Sequence, residues 1–371
     1  MSDPDFIEPG MALADVPTPA LLVDIDALTR NIARLADFAR EHGRGVALRP
    51  HAKTHKSAAI AALQVEAGAV GICCQTVREV EAMAAGGIKD VLLANEIASA
   101  DKAERLALAA RRAKVSVCVD DPAQIALLGA AARRNGVELG ALVEIDAGGG
   151  RCGVAPAAAD RLARRIAAEP GLRFAGIQAY HGRAQHLRQP SERAEAIRSA
   201  AAAASEAAAR VAAAGLGKTW ITGAGTGTFE HEAASGVYHE LQCGSYVFMD
   251  ADYRRNIRSG DSRSPEFEQS LYVLSTVLST ATPGRIVTDA GLKAISFDSG
   301  PPLIANHPEI VFLGPSDEHG TFAPGPGDVF TVGDKIRFIP GHCDPTVNLH
   351  DRYVVYRGDR VVEIWPIARG F

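Results

Sequence analysis

The sequence predicts an α/β chain, a (β/α)8 TIM-like barrel followed by a C-terminal all-β domain. Three observations carry this. From about residue 45 to 250 a short apolar run alternates eight times with an alanine-rich amphipathic stretch. Beyond about residue 265 the helical period disappears and β-rich runs take over. The length, 371 residues, suits one large domain and a smaller one at roughly 150 residues per domain.

The eight runs are 46–48, 70–74, 91–94, 115–119, 142–145, 174–177, 220–222 and a weaker one at Tyr246-Val247-Phe248. Helical patterns fill the gaps at 76–85, 99–113, 122–134, 156–168 and 191–214. Pro122 and Pro156 suit first helical turns, and Gly86 and Gly215 suit helix ends. A doubly wound sheet is the competitor, but it leaves the glycine-rich segments unplaced, whereas a barrel uses them at strand ends.

Ala20 to Asp24 reads as a strand and Asp26 to His42 as a helix, one unit too many for the barrel. The helix is expected on the barrel and the strand in the other domain. The β-rich runs are 271–277, 285–287, 309–313, 335–339, 353–356 and 361–365, the last two flanking a Gly358-Asp359 hairpin turn. Residues 254–267 read as a linker. The expected division is 1–25 as a segment pairing with the β domain, 26–265 as the barrel and 266–371 as the β domain.

Composition narrows the function classes. The net charge of −5 argues against a nucleic-acid surface, which is normally basic. No apolar run approaches the roughly 20 residues of a membrane span, and the acidic start MSDPDFIEPG lacks the apolar core of a secretory signal. Six cysteines at 73, 74, 118, 152, 243 and 343 form no CxxC pair and no disulfide framework. They read as reduced thiols of a cytoplasmic protein, with Cys118 a small core residue.

Unusual residues gather where barrel strands end, the face that carries the site in this architecture. Lys53, between His51 and His55, is either a surface lysine or an amine whose pKa a walled site depresses for Schiff-base chemistry. Thr222 to Gly227, with Gly244 and Ser245, is either a pair of tight turns or a phosphate cradle. Arg151, in a loop with four glycines, is a solvated arginine or a partner for a ring nitrogen or carboxylate. In an extended segment His342 and Asp344 project to one face, suited to Mn²⁺, Mg²⁺ or Zn²⁺, while Cys343 points away. A turn capped by Asp344 ahead of Pro345 is the alternative.

Eight motifs follow one another in order. They are Arg49-Pro50-His51-Ala52-Lys53-Thr54-His55-Lys56, Gly71-Ile72-Cys73-Cys74-Gln75, Gly150-Arg151-Cys152-Gly153-Val154 and Gln178-Ala179-Tyr180-His181-Gly182. Gly225-Thr226-Gly227, Asp289-Ala290-Gly291-Leu292-Lys293, Asp317-Glu318-His319-Gly320 and His342-Cys343-Asp344-Pro345-Thr346 complete the series. From about residue 15 to 371 the chain resembles the D-threonine aldolase, 3-hydroxy-D-aspartate aldolase and D-serine dehydratase family, of alanine-racemase-like fold (pyridoxal-phosphate fold type III).

The resemblance implies pyridoxal 5'-phosphate on Lys53, Arg151 facing the pyridine nitrogen and Tyr180 beside the cofactor. Thr222, Gly225, Thr226, Gly227, Gly244 and Ser245 are implied to hold the phosphate. His342 and Asp344 are implied to hold a divalent metal, and His186 to be the catalytic base. His-X-Asp in place of the dehydratases' His-X-Cys favours carbon–carbon cleavage to glycine and an aldehyde. A dehydratase acting on D-serine or 3-hydroxyaspartate is the alternative. A racemase would leave the metal pair unexplained, and a non-catalytic cofactor carrier would leave the β domain so. Arg183 is considered for a distal substrate carboxylate against a solvated loop position. The resemblance also implies a homodimer, with a small-molecule D-amino acid as the only other partner.

Overall fold

A computed structural model of the chain describes residues 6–41, 45–258, 260, 266–307 and 309–370. The barrel's strands and helices alternate as the periodicity predicts. After β1 (Ala20–Asp24) and α1 (Ile25–Glu41) come β2 (Ala47–Leu48), α2 (Ala58–Glu66), β3 (Ile72–Cys74), α3 (Val77–Ala85), β4 (Asp90–Leu93) and α4 (Ala100–Ala109). Then follow β5 (Lys114–Val119), α5 (Pro122–Asn135), β6 (Leu139–Glu144), α6 (Ala159–Ala168), β7 (Leu172–Ala179) and α7 (Pro190–Ala213). The barrel ends with β8 (Ile221–Gly223), α8 (Phe229–Ser235), β9 (Glu240–Leu241) and α9 (Ala251–Arg254).

Strands β2 to β9 form one parallel sheet in the order β2-β9-β8-β7-β6-β5-β4-β3. The bridge His51↔Cys73, with the hydrogen bonds Cys73 N–H to Pro50 O and Ala52 N–H to Cys73 O, joins its two ends and closes the barrel. Local chemistry starts the helices as expected. Asp121 and Gln124 make a capping box ahead of Pro122, and Thr76 accepts from Glu79 N–H at the start of α3.

The eighth run was misplaced. Tyr246-Val247-Phe248 is not a strand; Ser245–Val247 is a 3-10 turn, and the eighth strand is Glu240–Leu241. The apolar character of Tyr246, Val247 and Phe248 serves another purpose, burial in the core between the two domains. Glu240 can occupy a buried strand because its carboxylate is satisfied inside the barrel by Arg49 and Thr222.

The β domain adds β10 (Leu271–Thr282), β11 (Arg285–Thr288), β12 (Leu303–Ile304), β13 (Val311–Pro315), β14 (Gly320–Ala323), β15 (Lys335–Ile339), α10 (Cys343–Val347), β16 (Arg352–Arg357) and β17 (Arg360–Pro366). β12, with two residues, is too short to stand out in the sequence. β1 lies between β10 and β16, with Leu22 opposite both Tyr272 and Val354, so the N-terminal strand is a central strand of this sheet. α1 stays with the barrel. The expected linker lies partly outside the described residues (259 and 261–265), as do residues 1–5, the helix end at His42 and the final residue.

One continuous core joins the domains. Leu28, Ile32 and Leu35 of α1 and Ile60 of α2 pack with Tyr246 and Phe248 against Leu271, Val273, Phe338, Tyr353 and Trp365. This apolar seam fixes how the two domains sit against each other.

Candidate active site

The barrel's C-terminal mouth, under the β domain, holds a cavity of about 670 Å³ including its opening. Lys53 lines it from the loop after β2. That loop is anchored by its neighbour. Lys56 is buried and pairs with Glu79 at 2.6 Å, and Glu79 also accepts from Gln75 N–H. Breaking such a pair costs about 3–5 kcal/mol. The two lysines, alike in sequence, thus have separate duties. Burial opposes the charge of Lys53 most strongly, but the Asp344 carboxylate, 3.7 Å from Lys53 Nζ, acting with Tyr180 and Cys73, holds the ammonium above its ordinary value. His51 lines the same wall, kept neutral by burial, with Nδ1 facing Lys53 N–H at 3.3 Å.

Gln178 and Gln242 line the cavity and exchange side-chain hydrogen bonds at 3.0 and 2.8 Å. Thr222 lies beyond them, away from the cavity, donating to Glu240 Oε1 and accepting from Gln242. It lines a separate depression with Arg49, Asp90 and Lys114, so its expected place in the cradle is a correction. Register explains it. Thr222 stands opposite Glu240, inside the barrel.

Gly225, Thr226, Gly244 and Ser245 do line the cavity. A Cβ at Gly225 would lie 2.5 Å from Gln185 Oε1, and one at Gly244 2.6 Å from Thr54 Oγ1. Bare backbone is what lets this wall close in. Gly227 departs from expectation. Its N–H donates to Gln185 Oε1 at 2.9 Å, and it lines the adjoining depression.

Behind the cradle, Gln185 donates to Thr228, and Thr228 donates to the buried Glu232. Burial pushes the Glu232 carboxyl up to about 8. The folded state therefore holds a proton that the unfolded state, near 4.5, releases. Stability falls as pH rises from about 4.5 to 8. Glu232→Gln keeps an acceptor for Thr228 without the ionisable group. Its melting temperature should rise relative to the parent at pH 8 and match it near pH 4.5, checked by thermal melts across that range.

Arg151 and Tyr180 also line the cavity, the guanidinium 5.9 Å from the phenol ring centre. The Arg151 loop is ordered by its own sequence. Asp146 accepts from Gly148 and Gly150 N–H, and Asp120 accepts from Gly153 N–H. Gly153 has φ +103°, and a Cβ there would sit 2.5 Å from Asp146 N. Glu144, 3.9 Å from Arg151, is pushed up to about 8 by burial and by Glu96 beside it.

His186 and the pair His342 and Asp344 face the same cavity from the mouth. His342 is extended, but Cys343–Val347 is a helical turn with Pro345 inside it, so the extended reading of 342–344 is corrected. The two side chains still share the cavity, and Cys343 is buried away from it, its N–H donated to Asp250. His350 is turned to Ala294 O, outside the site. Arg183 is exposed and does not line the cavity.

Lys53, Arg151, Tyr180, His186, Gly225, Thr226, Gly244, Ser245, His342 and Asp344 thus meet in one cavity, and Thr222 and Gly227 do not. Sequence reasoning missed Tyr253, which lines the cavity beside His186, and the carboxylates of Asp252 and Asp298 that hold the two histidines. Asp250 capping Tyr253 N–H was the one legible sign of α9.

These residues fit a phosphorylated aldehyde cofactor and a hard divalent cation. A primary amine, Lys53, shares the cavity with a glycine-lined wall whose Thr226 hydroxyl, accepting from Tyr246 N–H, keeps its own proton to donate. His342 and Asp344 offer one nitrogen and one oxygen.

A closed eight-stranded barrel with its lysine after the first barrel strand, capped by a β domain that completes the mouth, defines a two-domain barrel enzyme of the alanine-racemase class. The "Alanine racemase, N-terminal domain" model matches residues 23–252, and "Putative serine dehydratase domain" matches 270–356. The chain belongs to the alanine racemase N-terminal domain family. It is 47% identical over 368 residues to 3-hydroxy-D-aspartate aldolase of Paracoccus denitrificans (strain Pd 1222), covering 98% of this chain and 94% of that one. It is 44% identical over 371 residues to D-threonine aldolase of Arthrobacter sp, covering 99% and 97%. The crystal structure of D-threonine aldolase from Filomicrobium marinum superposes with a TM-score of 0.94 at 44% identity, covering 98% of both chains.

Proposed function

We propose that the chain is a metal-activated, pyridoxal-phosphate-dependent aldolase that cleaves D-β-hydroxy-α-amino acids to glycine and an aldehyde. The observation that carries the reading is the convergence of Lys53, His186, His342 and Asp344 on one cavity. The aldolase names of relatives at 44–47% identity support it. Lys53 would hold the cofactor, with Gly225, Thr226, Gly244 and Ser245 around its phosphate and Arg151 at its ring nitrogen. When bound, that cofactor supplies a sink for the electron pair released at Cα. His342 and Asp344 would hold the divalent ion, Mn²⁺ or Mg²⁺ by donor type, whose Lewis acidity lowers the pKa of the β-hydroxyl.

His186 supplies the base. Its Nδ1 is bonded to Asp252 at 2.6 Å, which leaves Nε2 to take the β-hydroxyl proton. As that proton leaves, the Cα–Cβ bond breaks, the β-carbon departs as an aldehyde carbonyl, and a proton returns to Cα to give glycine. Lys53, the lysine lining the cavity, would manage that returning proton. Arg151, a guanidinium that stays protonated in proteins, would offer the ring nitrogen a hydrogen bond without a transferable proton. Tyr180 and Tyr253 wall the cavity and exclude water.

The test is product identity. Purified holoenzyme with Mn²⁺ should release glycine and acetaldehyde from D-threonine, or glycine and glyoxylate from 3-hydroxy-D-aspartate. A 2-keto acid and ammonia in their place would overturn the reading in favour of a dehydratase.

A further inference from the structure

Both histidines at the cavity mouth are held in the same way. His186 Nδ1 lies 2.6 Å from Asp252 Oδ2, and His342 Nδ1 lies 2.7 Å from Asp298 Oδ2. A carboxylate on Nδ1 fixes that nitrogen as the donor and leaves Nε2 as the free lone pair. Each carboxylate is itself held. Ser296 and Ser299 hydroxyls donate to Asp298 at 2.8 and 3.2 Å. Arg188 and Arg255 donate to Asp252 at 2.5 and 2.7 Å.

The two holders are also stitched to each other. The same Arg255 Nη2 that donates to Asp252 donates to Ser299 O at 2.6 Å. Asp252 N–H donates to Gly341 O, one residue before His342. A Cβ on Gly341 would fall 2.2 Å from Gly300 O, so the 298–300 and 340–342 segments are in backbone contact. Asp298 bonds His342 on Nδ1 and does not converge with His342 and Asp344 as a donor trio. The donor trios whose atoms converge within 4.8 Å among the described residues are Glu96, Asp120 and Cys152, and His307, Glu309 and Asp328. Neither includes it.

We propose that Asp298 and Asp252 are paired positioning residues, Asp298 turning His342 Nε2 toward a bound divalent ion and Asp252 turning His186 Nε2 toward the substrate hydroxyl, with Arg255 tying the two across the domain boundary. This rests on the metal-assisted reading above. The expected effect of losing such a carboxylate is a loss of about 10–100-fold in metal affinity. Asp252 should affect turnover and not the ion.

The test titrates Mn²⁺ into wild-type, Asp298→Asn, Asp298→Glu and Asp252→Asn holoenzymes, reading free ion by electron paramagnetic resonance. Each variant's cofactor absorbance and near-ultraviolet circular dichroism check that the site is intact. Asp298→Asn should weaken Mn²⁺ about 10–100-fold with the cofactor band unchanged, and Asp298→Glu should recover part of the loss. Asp252→Asn should keep the wild-type Mn²⁺ affinity while kcat falls at least tenfold at saturating metal. An Asp298→Asn affinity within twofold of wild type, or an Asp252→Asn kcat equal to wild type, would overturn the assignment while leaving the aldolase reading intact. Failure of the wild-type holoenzyme to bind Mn²⁺ would remove the metal-assisted reading and this inference together.

Discussion

Lys53→Ala should abolish cleavage and remove the visible absorbance of protein-bound cofactor. No other amine lines the cavity among the described residues, and Lys56, three positions on, is committed to Glu79. Added pyridoxal phosphate should not restore activity, because the covalent attachment itself would be missing. The fold should survive. The Lys53 side chain is about a third exposed and the loop's anchor is Lys56. Circular dichroism and an absorbance scan of the purified variant check both halves of this expectation. A variant that kept the visible band would place the attachment point elsewhere.

Removing the ion should have the next largest effect. Exhaustive chelation, or His342→Ala, should lower kcat about 10²–10³-fold, as follows from several kcal/mol of Lewis-acid stabilisation at 1.36 kcal/mol per tenfold. The cofactor band should remain, since Lys53 and the glycine-lined wall lie on the barrel and His342 and Asp344 on the β domain. Readdition of Mn²⁺ should rescue chelated wild type and leave His342→Ala inactive. Full activity after chelation would refute the role assigned to His342 and Asp344.

The sequence carried the strand-and-helix alternation because burial imposes it. Parallel strands covered on both faces need apolar runs such as Val115 to Val119, and helices laid over them need one apolar face. It failed where burial did not speak. Glu240 and Leu241 make a two-residue strand whose first side chain is charged and satisfied internally, while Tyr246 to Phe248 are apolar for a seam between domains.

The site was legible where backbone chemistry marks it, at Lys53, Gly225 and the Gly150-Arg151-Cys152-Gly153 loop. Thr222 was misassigned because a hydroxyl near glycines looks alike whether it faces a cavity or Glu240. Asp298 and Asp252 were invisible for a plainer reason. Each acts on a histidine distant in the chain, by 44 and 66 residues, and no local pattern records such a pairing.

The interior position of β1 sets an order of events during synthesis. Residues 20–24 leave the ribosome first but find their hydrogen-bonding neighbours only in residues 271–274 and 354–356. The barrel segment between them is made before either partner emerges, and the sheet bearing His342 cannot close until translation is nearly over. The nascent chain therefore carries an unpaired strand through most of its elongation, open to pairing with other chains until its partners are made.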